Sequence, residues 1–387
     1  MGNYRIAVYP YSPEIDPFLR YIFFLNPQYE IRSLISPRGW GYVNEIISLG
    51  DPESGKSLKV CASLDEIEDS INCIFIPEFE STVQFESNII DNIENKLPDI
   101  TKIICTARLK KANLEKLIKI CVNTNGRCDL EIKNQIKTEQ DYNLKVWGEI
   151  DAYLEDIPVP IIAVAGMLEK VDKFHTSLVL RDMFLNDGYK VSQIGSRNYC
   201  EMMGFHSFPG FMLNSAIDEA KKVILFNRYV KQIYDIEKPD IIIISIPGAA
   251  QSYNSKFTNR FGILHYLVSK AFAIDFLIMC TFFEPDGIEL FELISQSCFY
   301  KFGCSVDCFH MSNLLIDYMA MNERQCMEYL SIPLERVTKT ISEQYKEFPI
   351  PVINIFDKSD ATILYKQIID KLSYNQHDVN LNVINIQ

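Results

Sequence analysis

The chain alternates short apolar runs with longer segments of mixed polarity. Arg5–Tyr11, Tyr29–Ile35, Cys73–Pro77 and Lys102–Thr106 are mostly apolar and short enough for strands, and a further strand is expected near Val60. Between them Asp16–Phe24, Leu64–Ser70, Asn88–Leu97 and Asn113–Val122 read as helices. Strands that are apolar on both faces and alternate with helices predict a parallel sheet covered on both sides. Residues 1–125 therefore read as a Rossmann-like or flavodoxin-like domain. Asn123–Asp141 is polar and charged, turns at Gly126, and is the linker candidate. Tyr142–Leu154 reads as a helix, so that linker and connecting helix occupy 126–157.

From 158 to 387 the alternation resumes, which predicts a second α/β domain with a mostly parallel sheet. Strands are expected at Ile161–Ala165, Lys190–Ile194, Ile241–Ile246, Phe276–Cys280, Cys304–Phe309 and Val352–Ile355. Helices are expected at 174–186, 213–236, 258–272, 287–297, 333–345 and 360–372.

Charge narrows the partners. Lys plus Arg number 38 and Asp plus Glu 51, a net charge of −13. Neither nucleic acid nor an anionic membrane is an expected partner of so acidic a chain. No apolar run reaches the roughly 18–20 residues of a spanning helix; the candidate at Ala271–Phe283 is interrupted by Asp275. The first residues, MGNYRIAVYPYS, contain a strand-like run instead of a secretory signal. Eleven cysteines, several inside apolar runs, point to reduced thiols and a cytoplasmic location.

The candidate chemistry begins where the strand Ile161–Ala165 meets Gly166. A phosphate loop needs inward backbone N–H groups, a helix N-terminus behind them and a Lys for the outer phosphates. Gly166 and Lys173 are correctly placed for this, and Lys170 adds a second cation. However, Asp172 stands where a glycine is expected, and Phe174 where the hydroxyl that binds magnesium is expected. Two like charges about 4 Å apart, at an effective dielectric of about 20, repel by roughly 4 kcal/mol. Asp172 therefore opposes a bare phosphate unless it serves only to cap the helix. Thr176 and Ser177 are the nearest substitute hydroxyls. The stretch Lys238–Gly248, which contains the strand expected at Ile241–Ile246, then Pro247 and Gly248, has Ser245 where a magnesium-linked carboxylate is expected. Both usual magnesium contacts are thus altered.

Gly166 to Lys173 resembles the loop of the dethiobiotin-synthetase-like branch of P-loop proteins, which is longer by one residue before the Lys. Asp172-Lys173-Phe174, Gly188–Arg197, Ile246-Pro247-Gly248 with Asn259–Gly262, and Lys301–Cys304 resemble a family of peptide maturation system proteins. These are encoded near radical-SAM maturases and small ribosomal peptide precursors. The resemblance runs over nearly the whole chain. It implies an accessory protein of ribosomally synthesised peptide maturation. Such a protein would bind a precursor peptide, a radical-SAM maturase, or a nucleotide (ATP or GTP with magnesium) in a non-standard way. The P-loop branch implies the alternative of a nucleotide-dependent ligase or kinase, with Lys173 on phosphate and Thr176 replacing the missing hydroxyl.

Other residues invite separate readings. Ligands of open α/β sheets bind beyond the carboxyl ends of strands, which makes Gln193, Ser196, Arg197 and His206 candidates for a substrate loop. Phe208 and Phe211 read as exposed loop aromatics suited to a peptide. Cys304, Cys308 and His310 share a face if Cys304–Phe309 is a strand, a geometry open to metal binding. Trp40, between two glycines, reads as an interface or lid residue. His175 and His265 fall on helices, with packing or surface roles. Neither loop Ser36–Gly41 nor Gly50–Lys56 matches the dinucleotide fingerprint, and spacing identifies no catalytic residue.

Overall fold

A computed structural model describes residues 3–50, 55–67, 69–79, 83–133 and 153–375. Most of the helix expected at Tyr142–Leu154, and the tail after 375, lie outside the described residues. The chain divides into two compact units, 1–135 with 198–207, and 136–197 with 208–387. Both are α/β, with mostly parallel sheets.

In the first unit seven strands lie in the order Ile46–Ser48, Ser57–Cys61, Tyr29–Ile35, Tyr4–Val8, Cys73–Ile76, Lys102–Cys105, Asp129–Ile132. Every neighbouring pair is parallel except the first, which is antiparallel. The central strands are apolar on both faces because helices cover both, and Ile74, Phe75 and Ile76 are fully buried. The edge strand Asp129–Ile132 lies inside the segment read as linker. Its polarity reflects its place: Lys102 pairs with Asp129 and Glu131, and Lys133 with Glu131. Charges of this kind protect a sheet edge from further pairing. The helix expected at Leu64–Ser70 is a single 3-10 turn, Leu64–Glu66. Trp40 stacks on Phe85 with centroids 5.1 Å apart and lies 6.5 Å from Phe79.

The second unit sets Val191–Gly195, Ile241–Ser245, Ile161–Gly166, Phe276–Thr281, Cys308–Met311 and Val352–Ile353 side by side in that order. All these pairs are parallel. Ile161–Gly166 is central and wholly buried. The strand expected to begin at Cys304 begins at Cys308, so Cys304 leaves the strand that was to align it with Cys308 and His310. Phe208 and Phe211 are core residues instead of loop aromatics, packed on Phe226 and Tyr229 at 5.3 and 6.3 Å. Among the described residues no helix is long and apolar enough to cross a membrane.

The helix expected from 213 starts at Glu219, where a local signal sets it. The Asp218 carboxylate accepts hydrogen bonds from the N–H groups of Ala220 (3.0 Å) and Lys221 (3.2 Å). Asp218→Ala is expected to lower stability by about 1 kcal/mol, read as a lower urea midpoint at unchanged slope.

Candidate functional site

The loop Gly166–Lys173 connects the central strand of the second unit to the helix Lys173–Asn186. Its neighbours on either side are Phe276–Thr281 and Ile241–Ser245, so the loop emerges at the carboxyl ends of three adjacent parallel strands. Backbone bonds hold its start on both flanks. Met167 N–H donates to Cys280 O, and Ala250 N–H donates to Gly166 O, both at 2.8 Å.

Gly166 is the only residue type that fits its position. A Cβ there would stand 2.6 Å from Lys173 Cδ, 2.7 Å from Leu168 O and 2.9 Å from Lys173 Nζ. The Lys173 side chain crosses the space that the missing Cβ leaves. Its ammonium donates to Leu168 O at 3.1 Å and to Gly248 O. Gly248 closes the loop after the strand Ile241–Ser245, so Lys173 spans from one strand end to the next. Burial lowers the Lys173 ammonium to about 8; nearby Cys280, Glu169 and Asp172 act against the shift and Arg197 adds to it.

Asp172 is the residue before that helix. Its backbone is left-handed, φ 58 and ψ 15, and its side chain makes no capping bond, so the helix-capping role does not apply. Lys170 is left-handed too, φ 62. The Asp172 carboxylate, 24% exposed, points toward His310, with Oδ2 3.8 Å from Nε2.

The structure therefore brings His310 to the loop Gly166–Lys173. His310 is fully buried near the end of the strand Cys308–Met311, and its Nδ1 accepts the Ile355 N–H at 3.2 Å. A ring accepting at Nδ1 carries its proton on Nε2 when neutral. That Nε2 has no hydrogen-bond partner. Cys304 and Cys308 do not form a metal-ligand group with it, and burial holds both thiols above their ordinary value, Cys304 at about 11. Among the described residues, no group of three or more His, Cys, Asp or Glu is placed to hold a metal ion by itself.

The substitute hydroxyls are engaged inside the fold. Thr176 Oγ1 donates to Asp172 O at 3.0 Å and lies 3.7 Å from Cys280 Sγ. Ser177 Oγ donates to Phe174 O at 2.7 Å. Ser245 Oγ donates to Ser196 Oγ at 3.2 Å. Phe174 is buried. Gln193, expected on a substrate loop, is fully buried and donates to Ser177 Oγ at 3.1 Å. Ser196 and Arg197 are half-buried at the end of their strand. His206 falls in the segment 198–207 that belongs to the first unit. There Tyr199 packs on Phe18 and Phe75, at 5.3 and 6.1 Å.

His265 is closer to this chemistry than its sequence suggested. It sits in the helix Ile263–Ala271, buried, and neither ring nitrogen has a hydrogen-bond partner. Burial, and then the charge of Lys173, lower its pKa to about 3, so the ring is neutral. Nothing in the local spacing around His265 marks it out; only the fold brings it to Lys173.

No family model matches the sequence, and no curated protein matches it. The structure is similar to the crystal structure of a DUF1611 family protein from Anabaena variabilis ATCC 29413. The TM-score is 0.63, covering 95% of this chain and 100% of that chain, at 13% sequence identity. Likeness at that identity is a likeness of fold: this chain shares the mixed α/β architecture of that protein.

Proposed function

We propose that the protein is an accessory factor of ribosomally synthesised peptide maturation whose second unit binds a nucleotide or another phosphorylated ligand without transferring its phosphate. The peptide setting rests on the motif stretches at 172–174, 188–197, 246–248 with 259–262, and 301–304. A precursor peptide or a radical-SAM maturase is the partner that this setting suggests. A chromosomal neighbourhood with neither a radical-SAM gene nor a short precursor gene would count against it.

The observation that carries the ligand reading is Lys173. A buried cation in a loop between a central strand and a helix N-terminus, with a glycine clearing its path, supports binding of an anion. The absence of transfer is supported by the hydroxyls. A ligase or kinase of the P-loop kind places a hydroxyl on magnesium; here Phe174 stands at that position, and the nearest substitute, Thr176, is fully buried.

Calorimetry with ATP and GTP tests both parts. Binding is expected to weaken by about 10–100-fold in Lys173→Ala, the worth of hydrogen bonds to a charged group. It is also expected to weaken as the pH rises through about 8, because Lys173 is cationic below that value and neutral above it. In Lys173→Ala this pH dependence disappears. Release of phosphate from ATP that depends on Lys173 would overturn the non-transferring reading.

A further inference from the structure

The loop contains a contradiction. Its geometry favours an anion, yet Asp172 places a carboxylate beside the lysine that would hold one. The contradiction disappears if a divalent cation lies between carboxylate and phosphate, because both then face positive charge.

We propose that Asp172 carries the divalent-cation contact that Phe174 and Ser245 do not provide, with His310 holding its carboxylate, so that the loop takes a phosphorylated ligand as its cation complex. The proposal rests on the phosphate-loop reading above and names how that site recognises its ligand.

Two observations carry it. First, magnesium is commonly held by one or two carboxylates together with substrate phosphates and water, instead of a full protein cage. A single partly exposed carboxylate is therefore a sufficient protein contribution, and Asp172 is 24% exposed. Second, carboxylates that bind metals are themselves held by hydrogen bonds from behind. His310 is placed for that role: the Ile355 N–H fixes its ring through Nδ1, and Nε2, which makes no hydrogen bond in this arrangement, lies 3.8 Å from Asp172 Oδ2, so a small movement of the carboxylate brings the two within bonding distance. Fully buried, His310 does not face solvent itself and acts as a positioning residue. The competing hydroxyls of Thr176 and Ser245 are fully buried.

The test is calorimetry of inorganic pyrophosphate binding to the full chain, in magnesium chloride and in EDTA. The wild type is expected to bind about 10–100-fold tighter with magnesium. Asp172→Asn is expected to lose that gain and to bind tighter than the wild type in EDTA, because the repulsion is gone. His310→Gln is expected to lose about tenfold of the magnesium gain and keep the wild-type affinity in EDTA. Since His310 is a core residue, thermal unfolding accompanies that variant; if it does not fold, Asp172→Asn decides alone. Equal wild-type affinity in magnesium and EDTA overturns the proposal, as does Asp172→Asn retaining the magnesium gain. No binding by any of the proteins in either condition overturns the phosphate-loop reading, and this proposal with it.

Discussion

Gly262→Ala is expected to lower stability by roughly 2–5 kcal/mol, the sum of a left-handed backbone penalty and overpacking. Gly262 has φ +69, and a Cβ there would stand 2.0 Å from Ala250 O. That oxygen belongs to the backbone and cannot swing aside as a side chain would. Ala250 is itself tied to the loop Gly166–Lys173 through its N–H bond to Gly166 O. The three residues before Gly262 are also left-handed: Asn259, Arg260 and Phe261 have φ of 48, 51 and 56. The turn is secured by Asn259 Nδ2 donating to Gln251 O at 3.1 Å and Phe261 N–H donating to Thr258 O at 2.7 Å. Gly248→Ala is the control. Gly248 has φ +79 but nothing within 4 Å of an added Cβ, so only the backbone penalty of about 1–2 kcal/mol applies. Urea unfolding of both variants checks the difference. Equal losses would show that the contact with Ala250 does not matter.

Gly166→Ala is expected to weaken binding of pyrophosphate or ATP by about 100-fold, the worth of a strong hydrogen bond to a charged group. The added Cβ collides with Lys173 Cδ at 2.6 Å and with Leu168 O at 2.7 Å. The lysine side chain yields more easily than the backbone, so Lys173 leaves its place between Leu168 O and Gly248 O. Calorimetry with circular dichroism separates lost binding from lost fold. A folded Gly166→Ala protein with unchanged affinity would mean that Lys173 is not the cation that meets the ligand.

The parallel sheets were legible because buried parallel strands must be apolar on both faces, as Cys73–Ile76 and Ile241–Ser245 are. Where a strand lies at an edge that signal fails. Asp129–Ile132 carries charges suited to solvent, and its polarity imitates a linker. Helix starts were legible only near a clear signal. Asp218 caps a helix, whereas the apolar residues before it form the 3-10 turn Gly210–Leu213, which helical spacing cannot distinguish. Phe208 and Phe211 looked like loop aromatics because of the adjacent Pro209 and Gly210, yet hydrophobic burial draws them into the core.

Within the candidate site, Gly166, Asp172 and Lys173 could be found from spacing, because a strand, a loop and a helix in sequence order are local features. His310 was visible only as a possible partner of Cys304 and Cys308. Its Nδ1 bond to Ile355 spans 45 residues, and its approach to Asp172 spans a still longer stretch of chain. His265 reaches Lys173 by the same kind of long-range placement.

The amino-acid sequence by itself determined the alternation of strands and helices, the glycine and lysine of the loop, and the presence of Phe174 and Ser245 at positions where a hydroxyl and a carboxylate are expected. These depend on apolar periodicity and on residue type at fixed local spacing. Tertiary structure alone decided that the hydroxyls of Thr176 and Ser245 are buried inside the fold, that Asp172 does not cap its helix, and that His310 lies 3.8 Å from it. The reason is physical: parallel strands distant in sequence end side by side, and the partners of a buried polar group are set by that juxtaposition.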